Sequence, residues 1–258
     1  HVPLVEFNPI EGLRNNIFST KVICEVAKDM YSNHVILVSS DKAVRPCNIM
    51  GVSKRMSELI IQAYANDMNN LEKNETKDKK TIYSMVRFGN VLDSSGSVVP
   101  LFRKQIASGG PITLTHPEII RYFMTIKESV SLVIQAASLS KGGDVFLLDM
   151  GEPVKIFDLA KQMIKSAGLT LKNKNFPNGD IEIITTGLRP GEKLYEELLI
   201  TAKSIKTSHP YIYTANESFI PSETLSPLLD ELRLLLENRD YENSVALIRK
   251  IIPEFKTN

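Results

Sequence analysis

Ser40, Asp41 and Lys42 stand in a row immediately after an apolar run, His34-Val35-Ile36-Leu37-Val38, and ahead of a helical stretch that begins near Ile49. A hydroxyl, a carboxylate and an amine side by side can donate, accept or abstract protons, which is the equipment of general acid–base chemistry. In open α/β sheets the carboxyl ends of strands are where ligands bind, so the position suits a reaction centre. Ser39 shares the strand end. Lys54 lies one helical turn beyond Met50 on the same helix face and adds a second cation. Taken alone, Asp41 and Lys42 also read as a carboxylate capping the start of a helix and an exposed lysine. Ser40 likewise reads as a strand-end hydroxyl bonded to backbone, Lys54 as a surface lysine and Met50 as a core methionine.

Further groups recur downstream. Asn90 follows a second buried strand, Thr81–Arg87, through Phe88-Gly89; a turn asparagine needs no function. Arg121 and Arg189 suit a diphosphate, because guanidinium forks match phosphate oxygens and stay charged; surface ion pairs are the alternative. Glu192 closes the turn Arg189-Pro190-Gly191-Glu192. Thr113 and Thr115 alternate on a short strand and could face substrate or pack in a sheet. His1, His34, His116 and His209 are scattered, so no metal site is expected.

The elements that must position these groups alternate between strand and helix. Helices are expected over 16–30, 49–68, 98–108, 127–139, 156–167, 192–199, 224–238 and 241–251. Strands are expected over 34–39, 81–87, 112–115, 144–149 and 181–185, and 69–80 reads as a solvated loop. This order argues for α/β with a largely parallel sheet. Residues 1–92 read as part of a main α/β domain and 93–258 mainly as a smaller lobe over the strand ends, with 144–149 returning to the main sheet. The leucine-rich C-terminal helices are expected to pack within that lobe.

Composition excludes several classes. The chain has 258 residues, 43% hydrophobic and 24% charged, as in globular enzymes, and a net charge of +1 gives no reason to expect nucleic acid or an acidic membrane. Cys24 and Cys47 lie in unrelated contexts and read as reduced thiols. No apolar run approaches the roughly 20 residues of a membrane span, which points to a cytoplasmic protein. Should an anchor precede His1, it would sit at the inner face of the membrane. The sequence lacks an initiator methionine and reads from the middle of a domain. No glycine-rich strand-to-helix turn of the G-x-G-x-x-G kind is present, so if the protein uses a nicotinamide cofactor its pyrophosphate cradle is expected upstream of His1, and the isolated chain is expected to be inactive.

Six motifs in order carry a resemblance over nearly the whole chain. They are Pro9–Asn16, Ser40–Val44, Arg87–Leu92, Gly96–Pro100, Arg121–Thr125 and Gly187–Lys193. The sequence resembles the extended short-chain dehydrogenase/reductase superfamily, and within it the UDP-N-acetylglucosamine 4,6-dehydratase-like polysaccharide biosynthesis proteins. The resemblance implies a doubly wound Rossmann-type parallel sheet, its N-terminal part outside this chain, with a C-terminal substrate-binding lobe. It implies NAD or NADP, held mainly by upstream residues, with Lys54 on the nicotinamide ribose and Ser39 and Met50 alongside. It gives Asp41 as the acid and Lys42 as the base of an elimination, Ser40 on the C4 hydroxyl where relatives have Thr, and Asn90, Thr113, Thr115, Arg121, Arg189 and Glu192 on a UDP-sugar. Serving as a base requires the amine to shed a proton that a free lysine holds to about pH 10.4. Met50 stands where most of the superfamily has the proton-carrying tyrosine, a departure shared with the longer, often membrane-anchored dehydratases. A nucleotide-sugar epimerase on the same scaffold and a silent cofactor-sensing module are the rivals. A homo-oligomer, dimeric or higher, is expected, with the helices over 16–30 and 49–68 pairing across it or else burying against their own sheet.

Overall fold

A computed structural model describes residues 2–71, 80–198 and 204–256. In chain order the elements are α1 (Val2–Phe7), α2 (Pro9–Asp29), β1 (His34–Val38), a 3₁₀ turn (Asp41–Ala43), α3 (Ile49–Leu71) and β2 (Ile82–Arg87). Next come β3 (Asn90–Val91), α4 (Val98–Ala107), β4 (Ile112–Leu114), β5 (Ile120–Arg121), β6 (Phe123–Met124) and α5 (Ile126–Leu139). Then follow β7 (Val145–Leu148), β8 (Val154–Lys155), α6 (Ile156–Ser166), β9 (Leu171–Lys172) and β10 (Ile181–Thr185). The chain closes with β11 (Ile205–Lys206), β12 (Ile212–Ala215), α7 (Ser222–Glu237) and α8 (Tyr241–Ile251). Among the described residues no helix is long and apolar enough to cross a membrane.

Two compact units result. The first comprises His1–Phe88, Val130–Asp149 and Glu197–Asn258, and the second Gly89–Ser129 and Met150–Glu196. The first unit holds a five-stranded sheet in the order β1-β2-β7-β12-β11. β1, β2 and β7 run parallel; β12 pairs antiparallel with β7, and β11 antiparallel with β12. Among the described residues β1 pairs with β2 alone. β2 and β7 are almost continuously buried and apolar, as parallel strands covered on both faces must be. α2 and α3 pack on each other, and Met56, Leu59 and Ile60 of α3 join Tyr83 and Met85 of β2 and Val145 of β7 in one core. α2 keeps Val22, Ile23 and Val26 exposed.

The second unit is built on a three-stranded parallel sheet, β4-β10-β9. Phe102 and Ile106 of α4 and Ile156, Ala160 and Ile164 of α6 cover it. Two-stranded ribbons, β3-β6 and β5-β8, complete this unit.

Three expectations differ from what is seen. The C-terminal helices do not pack in the substrate lobe: Leu225, Leu229, Leu232 and Leu236 of α7 and Val245 and Ile248 of α8 join the core of α2 and α3. The lobe is correspondingly smaller than 93–258, because β7 inserts beside β2 and β12 beside β7, drawing their flanking segments into the first unit. The helix expected over 192–199 does not form through residue 198, and Leu199 lies outside the described residues. Two of its carbonyls have partners elsewhere: Lys193 O and Leu194 O accept from Arg121, and Leu194 O also accepts from the Ile120 amide. Of the loop expected over 69–80, residues 69–71 continue α3 and 72–79 lie outside the described residues.

Candidate active site

The β1–β2 pairing runs on past the strand end and carries the reactive residues with it. The Ser39 amide donates to Val86 O at 2.8 Å and the Asp41 amide to Phe88 O at 3.2 Å. The chain then tightens into the 3₁₀ turn, where Ala43 N bonds Ser40 O and Val44 N bonds Asp41 O. In this turn the Ser40 hydroxyl donates to Asp41 Oδ1 at 2.7 Å, and Lys42 Nζ donates to the same oxygen at 2.9 Å. Asp41 is only 3% exposed. The three adjacent groups therefore form one continuous proton-bearing chain, hydroxyl to carboxylate to ammonium.

The turn is pressed against the start of α3. A Cβ on Gly51 would stand 2.2 Å from Lys42 O, so the helix can approach only because this residue has no side chain. Asn48 Oδ1 accepts from the Gly51 amide at 2.8 Å, while Glu6 of α1 accepts from the amides of Ile49 and Met50. Together they satisfy the first amides of the helix. Met50 is buried and offers no proton carrier.

Beneath the turn lies a group of charges that the sequence reading did not single out. Glu58 is fully buried; its carboxylate accepts from Ser39 Oγ at 2.7 Å, from Arg87 at 2.7 and 2.6 Å, and from Arg55 at 3.0 Å. Arg87, equally buried, reaches on to Glu217 with two bonds of 2.7 Å. Burial opposes ionisation of Glu58, but Arg87 and Arg55, with the hydrogen bonds from Arg87 and Ser39, outweigh it and hold the carboxyl below its usual range. Burial would likewise lower the Arg87 guanidinium, and Glu58 and Glu217 push it up instead. The Ser39 hydroxyl thus ties the strand end to Glu58. Lys54, half-buried, donates to Val38 O at 3.1 Å. Burial pulls its pKa down, against the raising influence of Glu58. A signal for this network was present in the sequence: an acid within Met56-Ser57-Glu58-Leu59-Ile60-Ile61 and an arginine ending a buried strand each demand a partner.

In the second unit Thr115, Arg121, Glu192 and the Arg189 backbone come together. Thr115 Oγ1 and the Arg189 amide each donate to the Glu192 carboxylate at 3.1 Å. The buried Arg121 guanidinium donates to Ile120 O, Leu194 O and Lys193 O and lies 3.8 Å from both Glu192 and Glu196. Arg189 is exposed, in a turn whose flanking Gly187 and Gly191 adopt left-handed backbone. Thr113 exchanges two bonds with Gln105. Asn90 is placed by its amide bond to Tyr122 O.

A parallel sheet whose strand ends carry polar residues into the start of a helix is the Rossmann-type architecture of short-chain dehydrogenase-like enzymes. The structure of Pen from Bacillus thuringiensis shares it at a TM-score of 0.70 and 30% identity, covering 89% of this chain and 72% of that one. The chain belongs to the polysaccharide biosynthesis protein family, whose model matches residues 1–217. The capsular polysaccharide biosynthesis protein CapD of Staphylococcus aureus is 53% identical over 199 residues, 77% of this chain and 30% of that protein. A UDP-glucose 4-epimerase of Rickettsia rickettsii is 33% identical over 205 residues, 80% of this chain and 54% of that enzyme. The chain therefore spans only part of the curated relatives it matches.

Proposed function

We propose that the protein acts as a nucleotide-sugar 4,6-dehydratase, converting UDP-N-acetylglucosamine or a close relative to its 4-keto-6-deoxy derivative. The observation that carries this reading is the Ser40–Asp41–Lys42 chain of hydrogen bonds at the end of β1. Solved nucleotide-sugar dehydratases of this fold hold NAD, and a half-buried amine at the strand end fits the hydroxyls of a nicotinamide ribose, so Lys54 would hold the cofactor. Bound there, the nicotinamide would supply the acceptor for a hydride from C4 of the sugar and its source for return to C6.

This chain's own residues manage the protons. Ser40 orients the C4 hydroxyl and, as C4 is oxidised, relays its proton to the Asp41 carboxylate. Once C4 is a ketone, the C5 proton is acidic because its carbanion is delocalised into the carbonyl, and the Lys42 amine removes it. Asp41 supplies the proton with which the C6 hydroxyl departs as water. Lys42 then returns its proton to C5. The exposed Arg189 suits the diphosphate, and Arg121, by fastening residues 192–194, holds the turn that presents it. Asn90, Thr113 and Thr115 complete the proposed contacts to the sugar nucleotide.

A second reading, epimerisation at C4, is favoured by the Rickettsia relative. The acid–base pair Asp41–Lys42 weighs against it, since exchange of hydride at C4 alone needs no base at C5. The whole protein incubated with UDP-N-acetylglucosamine should yield a 4-keto product with loss of water, read by NMR. A C4-inverted sugar with its C6 hydroxyl intact would establish the epimerase instead. Asp41→Asn and Lys42→Met should each lower turnover by about a hundredfold or more while leaving circular dichroism unchanged.

A further inference from the structure

The reaction turn is held from both flanks, and only one of the holds belongs to the part of the chain matched by the family. Upstream, Ser39 is bonded to Glu58. Downstream, the chain from Val44 to Asn48 returns toward α3, and there it meets the C-terminal segment beyond α8. The Lys256 amide donates to Pro46 O at 3.2 Å. Phe255 is 4% exposed and shares the core of Ile49 and Val52, the opening residues of α3. The carboxylate of Glu254 lies 3.6 Å from Arg55 Nε, a buried nitrogen with no hydrogen bond among the described residues. On its other side the same guanidinium donates to Glu58 at 3.0 Å and to Ser218 O at 3.4 Å. Arg55 therefore connects the C-terminal segment to the carboxylate that holds Ser39.

Pro46 is not remote from the chemistry. A Cβ on Gly51 would stand 3.2 Å from the Pro46 ring as well as 2.2 Å from Lys42 O. Pro46, Gly51 and the Lys42 carbonyl are thus packed without slack, and close-packed groups transmit displacement rather than absorb it. Residues 254–256 lie beyond the match to the family model, which ends at 217.

We propose that the segment following α8 is a brace for the reaction turn, with Glu254 and the Lys256 amide as positioning groups for Asp41 and Lys42. It acts through Pro46 and Arg55 and touches no reacting atom. Its catalytic meaning rests on the dehydratase reading above; its mechanical meaning does not.

The test uses the whole protein with Lys256→Pro, which removes the amide donor, and Lys256→Ala, which keeps it. Amide hydrogen exchange at Ala43 and Val44, followed without substrate, reports the turn directly. Loss of one hydrogen bond should speed exchange at those two amides about fivefold in Lys256→Pro and leave Lys256→Ala at the wild-type rate. Exchange in β2 should be unchanged in both, which separates a local release from general destabilisation. Glu254→Gln should also speed exchange at the turn. In steady state, Lys256→Pro should lower kcat about fivefold with KM held within about twofold, the mark of displaced catalytic groups rather than lost binding. Identical exchange at Ala43 and Val44 in the proline and alanine variants would overturn the brace. Should exchange respond while the wild type forms no 4-keto sugar, the brace stands and the dehydratase reading falls.

Discussion

Replacing Gly51 by alanine should harm this protein where simple helix rules say it should help. Gly51 lies in the first turn of α3, and by propensity alone alanine there would add up to about 1 kcal/mol of stability. The new methyl, however, would stand 2.2 Å from Lys42 O and 3.1 Å from Lys42 C. A tolerable carbon–oxygen contact needs roughly 3.2 Å, so the backbone of Lys42 or the start of α3 must move by about 1 Å in a close-packed setting. Overpacking of that kind costs about 1–3 kcal/mol, leaving a net loss near 1 kcal/mol and a Tm lower by about 2–4 °C. Catalysis should suffer more. A misplacement of about 1 Å between catalytic groups and substrate is worth roughly a hundredfold in rate, or about 2.7 kcal/mol of barrier. Thermal unfolding and single-turnover formation of the 4-keto sugar measure the two effects separately. A Gly51→Ala protein with a raised Tm and an undiminished rate would refute the tight contact between α3 and the reaction turn.

Removing Glu58 should be severe, since Arg55 and Arg87 would lose a fully buried counter-charge: Glu58→Ala is expected to cost about 3–5 kcal/mol in chemical denaturation. The folded state holds the Glu58 carboxyl below its ordinary value of 4.5. It therefore contributes stability above that pH which is lost as pH falls through the folded value, and Glu58→Gln should flatten the acid limb of the stability profile. Lys54 is displaced in the same downward sense by burial, so its ammonium should titrate by NMR below the ordinary lysine value of 10.5. Glu58→Gln should move that midpoint lower still, because the carboxylate raises it.

The regular elements were legible because their patterns are local. β1 and β2 announce themselves as apolar, β-branched runs, and α3 as a long helix behind a proline. Ser40, Asp41 and Lys42 could be placed together from their adjacency at a strand end. What the sequence concealed depends on contacts between distant segments. Glu58, Arg87 and Glu217 are 29 and 130 residues apart as hydrogen-bonded pairs, and no spacing rule reaches so far. The stretch after Gly191 has the composition of a helix, but Arg121 claims two of its carbonyls from a different part of the chain. α7 and α8 showed their amphipathic faces plainly, while which surface those faces would cover was decided by where β12 returns to the sheet.

The solitary pairing of β1 has a practical corollary. Among the described residues nothing pairs with its outer margin, a row of main-chain donors and acceptors on a run of Val, Ile and Leu, with Val38 45% open to water. Such a margin is a template, and the readiest match for it is the same strand of another copy. Handled by itself at high concentration, the polypeptide should recruit its own kind along that margin and come out of solution as ordered aggregates. A lysine or proline set at Ile36 would blunt the template.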